Sequence, residues 1–184
     1  WVQPGLADLT VVAANYQTQT IANLDLLAGQ PFIQNIQLNP FCEIFSDDIE
    51  NGIQGWTAQS PWAISTELSS SPDNAWSDSP GGNYNNNRNY SITSPDISVT
   101  DAETIEISYM SHCDTEAGYD YGHLEIQFDG ASWQEISRCD NQANWRQEQE
   151  SINLPNEASV MKIRFRLSTD GGVTRDGWHL DDIK

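Results

Sequence analysis

Positive charge is scarce in this chain: Lys and Arg total 8 against 27 Asp and Glu, for a formal net charge of −19. Phosphate-rich partners need clustered cations, so nucleic acid and anionic membrane surfaces are excluded. No run approaches the ~18 to 20 consecutive apolar residues that a membrane-spanning helix requires. No signal peptide is visible, and the opening WVQPGLADLT is already strand-like, as expected of an internal or processed piece. Cysteine is limited to Cys42, Cys113 and Cys139, which leaves one unpaired under any intrachain scheme. Cys113 and Cys139 follow and precede neighbouring strand-like runs, so they can form a bridge or remain buried thiols.

Catalytic and transition-metal motifs are missing as well. There is no HExxH, HxxE, CxxC or GxSxG, and His112, His123 and His179 are scattered. No amphipathic helix is evident.

What remains is a folded, acidic, β-rich chain. A hydrophobic fraction of 38% with 7 Trp and 6 Tyr is too apolar for an acidic disordered tail. Strand-like runs recur between turn signals: LTVVAANY, TIANLDLL and FIQNIQL, then TIEISYM, HLEIQF, WQEIS, MKIRFRL and WHLDDI. In MKIRFRL, Ile163, Phe165 and Leu167 share one face and Lys162, Arg164 and Arg166 the other, as in a half-buried antiparallel strand. The expected fold is all-β, an antiparallel β-sandwich of jelly-roll type preceded by a partial small β-sandwich segment. A break near LNPFCEI divides it into residues 1–40 and 43–184. The Asn-rich stretch 79–90, SPGGNYNNNRNY, reads as a solvated loop.

Two resemblances follow from longer stretches. VVAANYQTQT, the LAGQ turn and NIQLNP resemble the C-terminal part of a carboxypeptidase regulatory-like domain, a transthyretin-like β module. FSDDIENGIQGW, SPDNAWSDSPGGNY, SYMSHCDTEAGYDYGHLEIQFDGASWQEI, NWRQEQESINLP and RFRLSTDGGVTRDGWHLDDIK are similar to the MAM-like jelly-roll domain of bacterial secreted metallopeptidases. That type includes immune inhibitor A and some zinc carboxypeptidases, and the cysteines here depart from the animal MAM pattern.

Acidic clusters are the main candidate chemistry, because Ca²⁺ takes six to eight oxygen ligands. They are Asp47, Asp48 and Glu50; Asp73 with Asn74; Glu116 with Asp120; and Asp181 with Asp182. First and last strands of a jelly roll commonly lie side by side, so DDIE and LDDI are expected to meet. Alternation puts Leu180 and Asp182 on one face and Asp181 on the other; a core-facing Leu180 would carry Asp182 inward. The resemblance implies a structural Ca²⁺ held by Glu50, Asp73 and Asp181, with Asp48 and Asp182 close behind. The competing expectation is that these carboxylates accept backbone N–H bonds or pair with Arg164, Arg166 or Arg175. Glu116 and Asp120 form either a second cation site or a loop brace. Among the aromatics, Trp62, Tyr84 and Tyr90 are the candidates for an exposed ligand platform.

The resemblance implies a non-catalytic accessory domain of a secreted bacterial peptidase. Its parent would be a zinc metallopeptidase or a subtilisin-like enzyme, and its role to bind protein or glycan substrate or a surface, or to stabilise that parent. The alternative expectation is a carbohydrate-binding module using an exposed aromatic face.

Overall fold

The computed structural model describes residues 5–13 and 16–184. The chain divides into two compact units, Trp1–Glu43 and Ile44–Lys184. In the first, β1 (Gly5–Val11) pairs antiparallel with β2 (Gln19–Leu26), and the register shifts between Ala7 and Leu9. Asp8 accepts a bond from Asn23 N at 2.9 Å, and Asn23 takes a positive φ of 60°. The expected third strand, FIQNIQL, joins no ladder among the described residues; its flank carries a bridge between Tyr16 and Pro40 and a hydrogen bond of 2.9 Å from Gln17 N to Asn39 O. LTVVAANY likewise ends as a strand at Val11, and its Ala14 and Asn15 lie outside the described residues, as does the opening WVQP.

The second unit is an all-β sandwich of two antiparallel sheets, as expected for a jelly roll. The six-stranded sheet runs β10 (Gln134–Cys139), β9 (Tyr121–Phe128), β12 (Val160–Ser168), β6 (Asn89–Thr93) and β3 (Thr57–Ala58), with β7 (Ile97–Ser98) also on β12. The five-stranded sheet runs β11 (Gln142–Asn153), β8 (Thr104–Asp114), β13 (Gly177–Asp181), β5 (Ala75–Ser77) and β4 (Ala63–Ser65). Strict burial alternation along β8 and β12 turns one face of each inward. Their inner faces meet through Phe165 of β12, whose ring lies 5.0 Å from Tyr109 of β8 and 5.5 Å from Trp178 of β13, both edge-on.

Two devices tie the sheets together. Cys113 of β8 and Cys139 of β10 form a disulfide with their Cα atoms 6.3 Å apart, so the bridge spans the sandwich instead of joining neighbours in one sheet. Cys42 is free and exposed. Gly122 of β9 faces inward beside that bridge, where a Cβ would stand 2.5 Å from Trp178 Cε3 and 2.7 Å from Cys139 Sγ.

The opening and closing segments do meet. Asp47 and Ile183 exchange backbone hydrogen bonds of 2.8 and 2.9 Å. The buried Asp47 carboxylate accepts from Ile49 N at 2.9 Å and from Trp56 Nε1 at 2.7 Å, which anchors the start of the sandwich in its aromatic core. The 79–90 stretch is not a free loop. Asn83 and Asn86 donate to the carbonyls of Thr174, Gly171 and Gly172, and Tyr84 is 1% exposed. Its amides satisfy the backbone of the β12–β13 connection, a use of Asn that composition alone does not distinguish from solvation. Among the described residues, no helix is long and apolar enough to cross a membrane.

Candidate functional site

Of the five carboxylates first expected to bind a cation, Asp181, Asp48 and Glu50 lie close enough to Asp182 to raise its pKa, and Asp73 is exposed. Among the described residues, two groups of three His, Cys, Asp or Glu side chains bring ligand atoms within 4.8 Å of one another, and Asp48, Glu50, Asp73, Asp181 and Asp182 belong to neither. Asp181 is fully buried and accepts from Ser70 N and Ser71 N at 2.8 Å, from Ser71 Oγ at 3.1 Å and from Asp182 N at 2.8 Å. Glu50 accepts from Asn74 N at 2.9 Å and Asn74 Nδ2 at 2.8 Å. Asp48 receives Glu50 N at 3.2 Å, and Asp73 is exposed with a φ of 79°. Neutral N–H and O–H donors thus satisfy the Asp181 and Glu50 carboxylates in this arrangement.

Asp182 departs from the alternation rule. Leu180 does face the core, yet Asp182 takes a φ of 48° just beyond β13 and is only half-buried. That left-handed turn ends the strand, so it is Asp181 that is buried. Partial burial, then repulsion from Asp181, Asp48 and Glu50 against the pull of Lys184, raises the pKa of Asp182.

Glu116 and Asp120 are joined by Asp170 in one of the two converging groups. Asp120, fully buried, accepts from Tyr84 Oη and from Asp170 N, each at 2.7 Å. Glu116 accepts from Val173 N at 3.0 Å. Three loops meet there, so the cluster is at once a brace and a set of oxygen donors.

The aromatics expected at the surface are inside. Trp62, Tyr84 and Tyr90 are 3%, 1% and 6% exposed, and each spends its polar atom internally. Trp62 Nε1 donates to Tyr90 O at 3.2 Å, and Tyr90 Oη donates to Asp78 Oδ2 at 3.3 Å. Flanking Pro, Gly and Asn suggested loops, but these side chains fill the core.

The outer face of the six-stranded sheet is a different surface. Alternation along β9 and β12 sends Tyr121, His123, Glu125 and Gln127 outward beside Lys162, Arg164, Arg166 and Ser168. Arg138 of β10 stands on the same face. Arg138, Lys162, Arg164 and Arg166 are half of the chain's 8 basic residues, so the one cationic concentration of an acidic chain is here. Glu125 sits between two guanidinium groups: Arg164 Nε donates to Oε2 at 2.7 Å and Arg166 Nη2 to Oε1 at 2.8 Å. Arg166 Nη1 also reaches Asn89 Oδ1 at 3.2 Å.

Electrostatics follow from that arrangement. Burial pushes Glu125 up, but hydrogen bonds and charge from Arg166 and Arg164 outweigh it and hold the carboxyl below its ordinary range. His123 contacts Glu135 at 2.6 Å and Ser168 Oγ at 2.8 Å. Burial lowers its pKa in spite of Glu135, so at neutral pH a neutral imidazole donates its Nδ1–H to the Glu135 carboxylate and the two are not an ion pair.

Two half-buried rings complete the surface. Arg164 stacks over Trp133 with Cζ 4.2 Å from the ring centre, and Arg138 over Tyr121 at 4.8 Å. The result is a plane of fixed donors and acceptors with apolar ring area beside them. Such a surface can pair with the hydroxyls of a polar, uncharged ligand and pack against its C–H faces. Sequence alternation showed the polar face of β12; the pairing of β9 with β12 that assembles the network is non-local.

No protein-family model and no curated protein matches the chain. Among solved structures, the fold is similar to the CBM22-1 xylan-binding domain of Paenibacillus barcinonensis Xyn10C, with 18% identity, TM-score 0.50, and 76% of this chain and 90% of that one covered. It is similar to a family 16 carbohydrate-binding module at 14% identity and TM-score 0.54, covering 77% and 96%. The module TmCBM61, solved with β-1,4-galactotriose, aligns at 12% identity and TM-score 0.51, covering 74% and 91%. These neighbours overturn the resemblance to MAM-like peptidase domains, the carboxypeptidase regulatory-like label and the peptidase parent inferred with them. In fold, this chain stands with carbohydrate-binding modules.

Proposed function

We propose that residues 44–184 are a carbohydrate-binding module whose glycan lies across the outer face of the six-stranded sheet. The supporting observation is the Arg164–Glu125–Arg166 network laid flat between the Trp133 and Tyr121 rings. Sugars present hydroxyls in fixed directions and an apolar face, and a preorganised polar plane beside aromatic area binds both with little ordering cost. A neutral polysaccharide is favoured over an anionic one, because Glu125 already occupies the two guanidinium groups and the chain's net charge is −19. One fold neighbour is a xylan-binding domain and another was solved with β-1,4-galactotriose, which makes xylan and β-1,4-galactan the first probes. The role is binding and not catalysis. The disulfide supports an extracellular setting.

Calorimetry against xylan and β-1,4-galactan oligosaccharides, with Trp133→Ala and Tyr121→Ala, tests this. Binding weakened at least about tenfold by each substitution is expected, since a well-packed aromatic contact contributes over about 1 kcal/mol. Binding unchanged in both variants, or none across a broad glycan panel, would overturn it.

A Ca²⁺ at Glu116, Asp120 and Asp170 is a second proposal, supported by three hard oxygen donors within 4.8 Å of one another. A cation bound only to the folded state adds about 2.7 kcal/mol at a hundredfold excess over Kd. Exhaustive chelation should lower Tm and added Ca²⁺ restore it; an unchanged melt sinks the site.

A further inference from the structure

The second converging group lies on the opposite sheet. His112 of β8 and His179 of β13 are direct cross-strand partners, so both side chains rise from one face. Their rings are 5.7 Å apart. Asp176, just before β13, reaches back to place Oδ2 3.0 Å from His179 Nε2. One ligand atom from each of the three lies within 4.8 Å of the others.

Unlike the acidic clusters, this group has unspent donors. His179 is 1% exposed, and Nδ1 of both histidines is buried without a hydrogen-bond partner. A buried polar atom left unpaired is destabilising, and here two lie side by side on the same ladder. The Trp145 ring stands 5.8 Å from His112, while the Asp176 side chain is 47% exposed and leaves one corner open to solvent.

We propose that His112, His179 and Asp176 bind a divalent late transition metal, with zinc as the first probe and water in the fourth position. Two imidazoles and one carboxylate suit zinc; Ca²⁺ would want oxygens in their place. Tetrahedral Zn–N bonds of about 2.0 Å need ligand atoms about 3.3 Å apart, so the trio must draw together slightly. The histidines are fixed by the β8–β13 ladder, and the exposed Asp176 is free to adjust. Bound metal would clamp the closing strand to its neighbour.

The test uses the full chain, ¹⁵N-labelled and stripped of metal. Added Zn²⁺ should bind with one equivalent, raise Tm, and shift the imidazole nitrogens of His112 and His179. Those of His123, the third histidine, on the other sheet, should not move. His112→Gln and Asp176→Asn, checked for fold by near-UV circular dichroism, should weaken Zn²⁺ at least tenfold. No binding at millimolar Zn²⁺, undiminished affinity in the folded variants, or a rise in Tm with unmoved imidazoles would overturn the proposal. The last result would place the ion on carboxylates such as Glu116 and Asp170.

Discussion

Gly122 lies directly against the Trp178 indole, close enough that a single added carbon would stand 2.5 Å from Cε3. Neither neighbour can yield, since Trp178 is 1% exposed and Cys139 is held in the disulfide. Gly122→Ala should therefore cost about 2 kcal/mol or more, in the range of overpacked cores. Urea denaturation checks it; a variant within 0.5 kcal/mol of the parent, on the order of an ordinary surface change, would mean the sheets separate easily there.

Asp78 is a buried acid without a cationic partner. Burial, opposed by hydrogen bonds from Trp178 N, Tyr90 and Ser79, raises its pKa to about 7 from 3.8. The folded state thus holds this proton between about pH 4 and 7 while the unfolded state releases it, and the stability contribution falls as pH rises through that window. Asp78→Asn, which can still accept from Trp178 N, should relieve a penalty on the order of 4 kcal/mol at pH 8 and change little at pH 4. The difference between variant and parent isolates Asp78 from the histidines, whose effects run the other way.

Glu125 has the opposite sign. Its carboxyl is held below the ordinary 4.5, so the network stabilises above that pH and is lost as pH falls through the folded pKa. Arg166→Ala, by removing the larger partner, should move the acid-unfolding midpoint to higher pH. Intrinsic tryptophan fluorescence gives the readout, and an unmoved midpoint would show that Arg164 alone suffices.

The Cys113–Cys139 bridge closes a loop with a sequence separation of 26. A loop of that length corresponds to about 3.5 kcal/mol of chain entropy removed from the unfolded state. Reduction, or the Cys113→Ala, Cys139→Ala double variant, should lower stability by about that amount while leaving glycan binding on the far side of β9 in place. Equal loss of stability and binding would tie the bridge to the binding face.

How much of this was legible depended on whether the pattern was local. MKIRFRL alternates cleanly and announced β12, and the polar half of that alternation lies on the proposed binding face. β11, QANWRQEQESIN, was not recognised as a strand because it is an edge strand, polar on both faces, whose partner β8 supplies the ladder. FIQNIQL carries the composition of a strand but has no third partner to pair with. His112 and His179 looked scattered because only the β8–β13 register makes them neighbours. The buried places of Trp62, Tyr84 and Tyr90 likewise come from contacts far along the chain.

The polarity that hid β11 has a consequence of its own. Its twelve residues leave a long row of backbone groups at the rim of the five-stranded sheet, the usual template for runaway strand addition. Arg146, Glu148 and Glu150 stand along its middle, so an incoming extended segment would have to desolvate charge at every second position from 146 to 150. Charge on this rim thereby opposes edge-to-edge pairing in a protein built largely of strands.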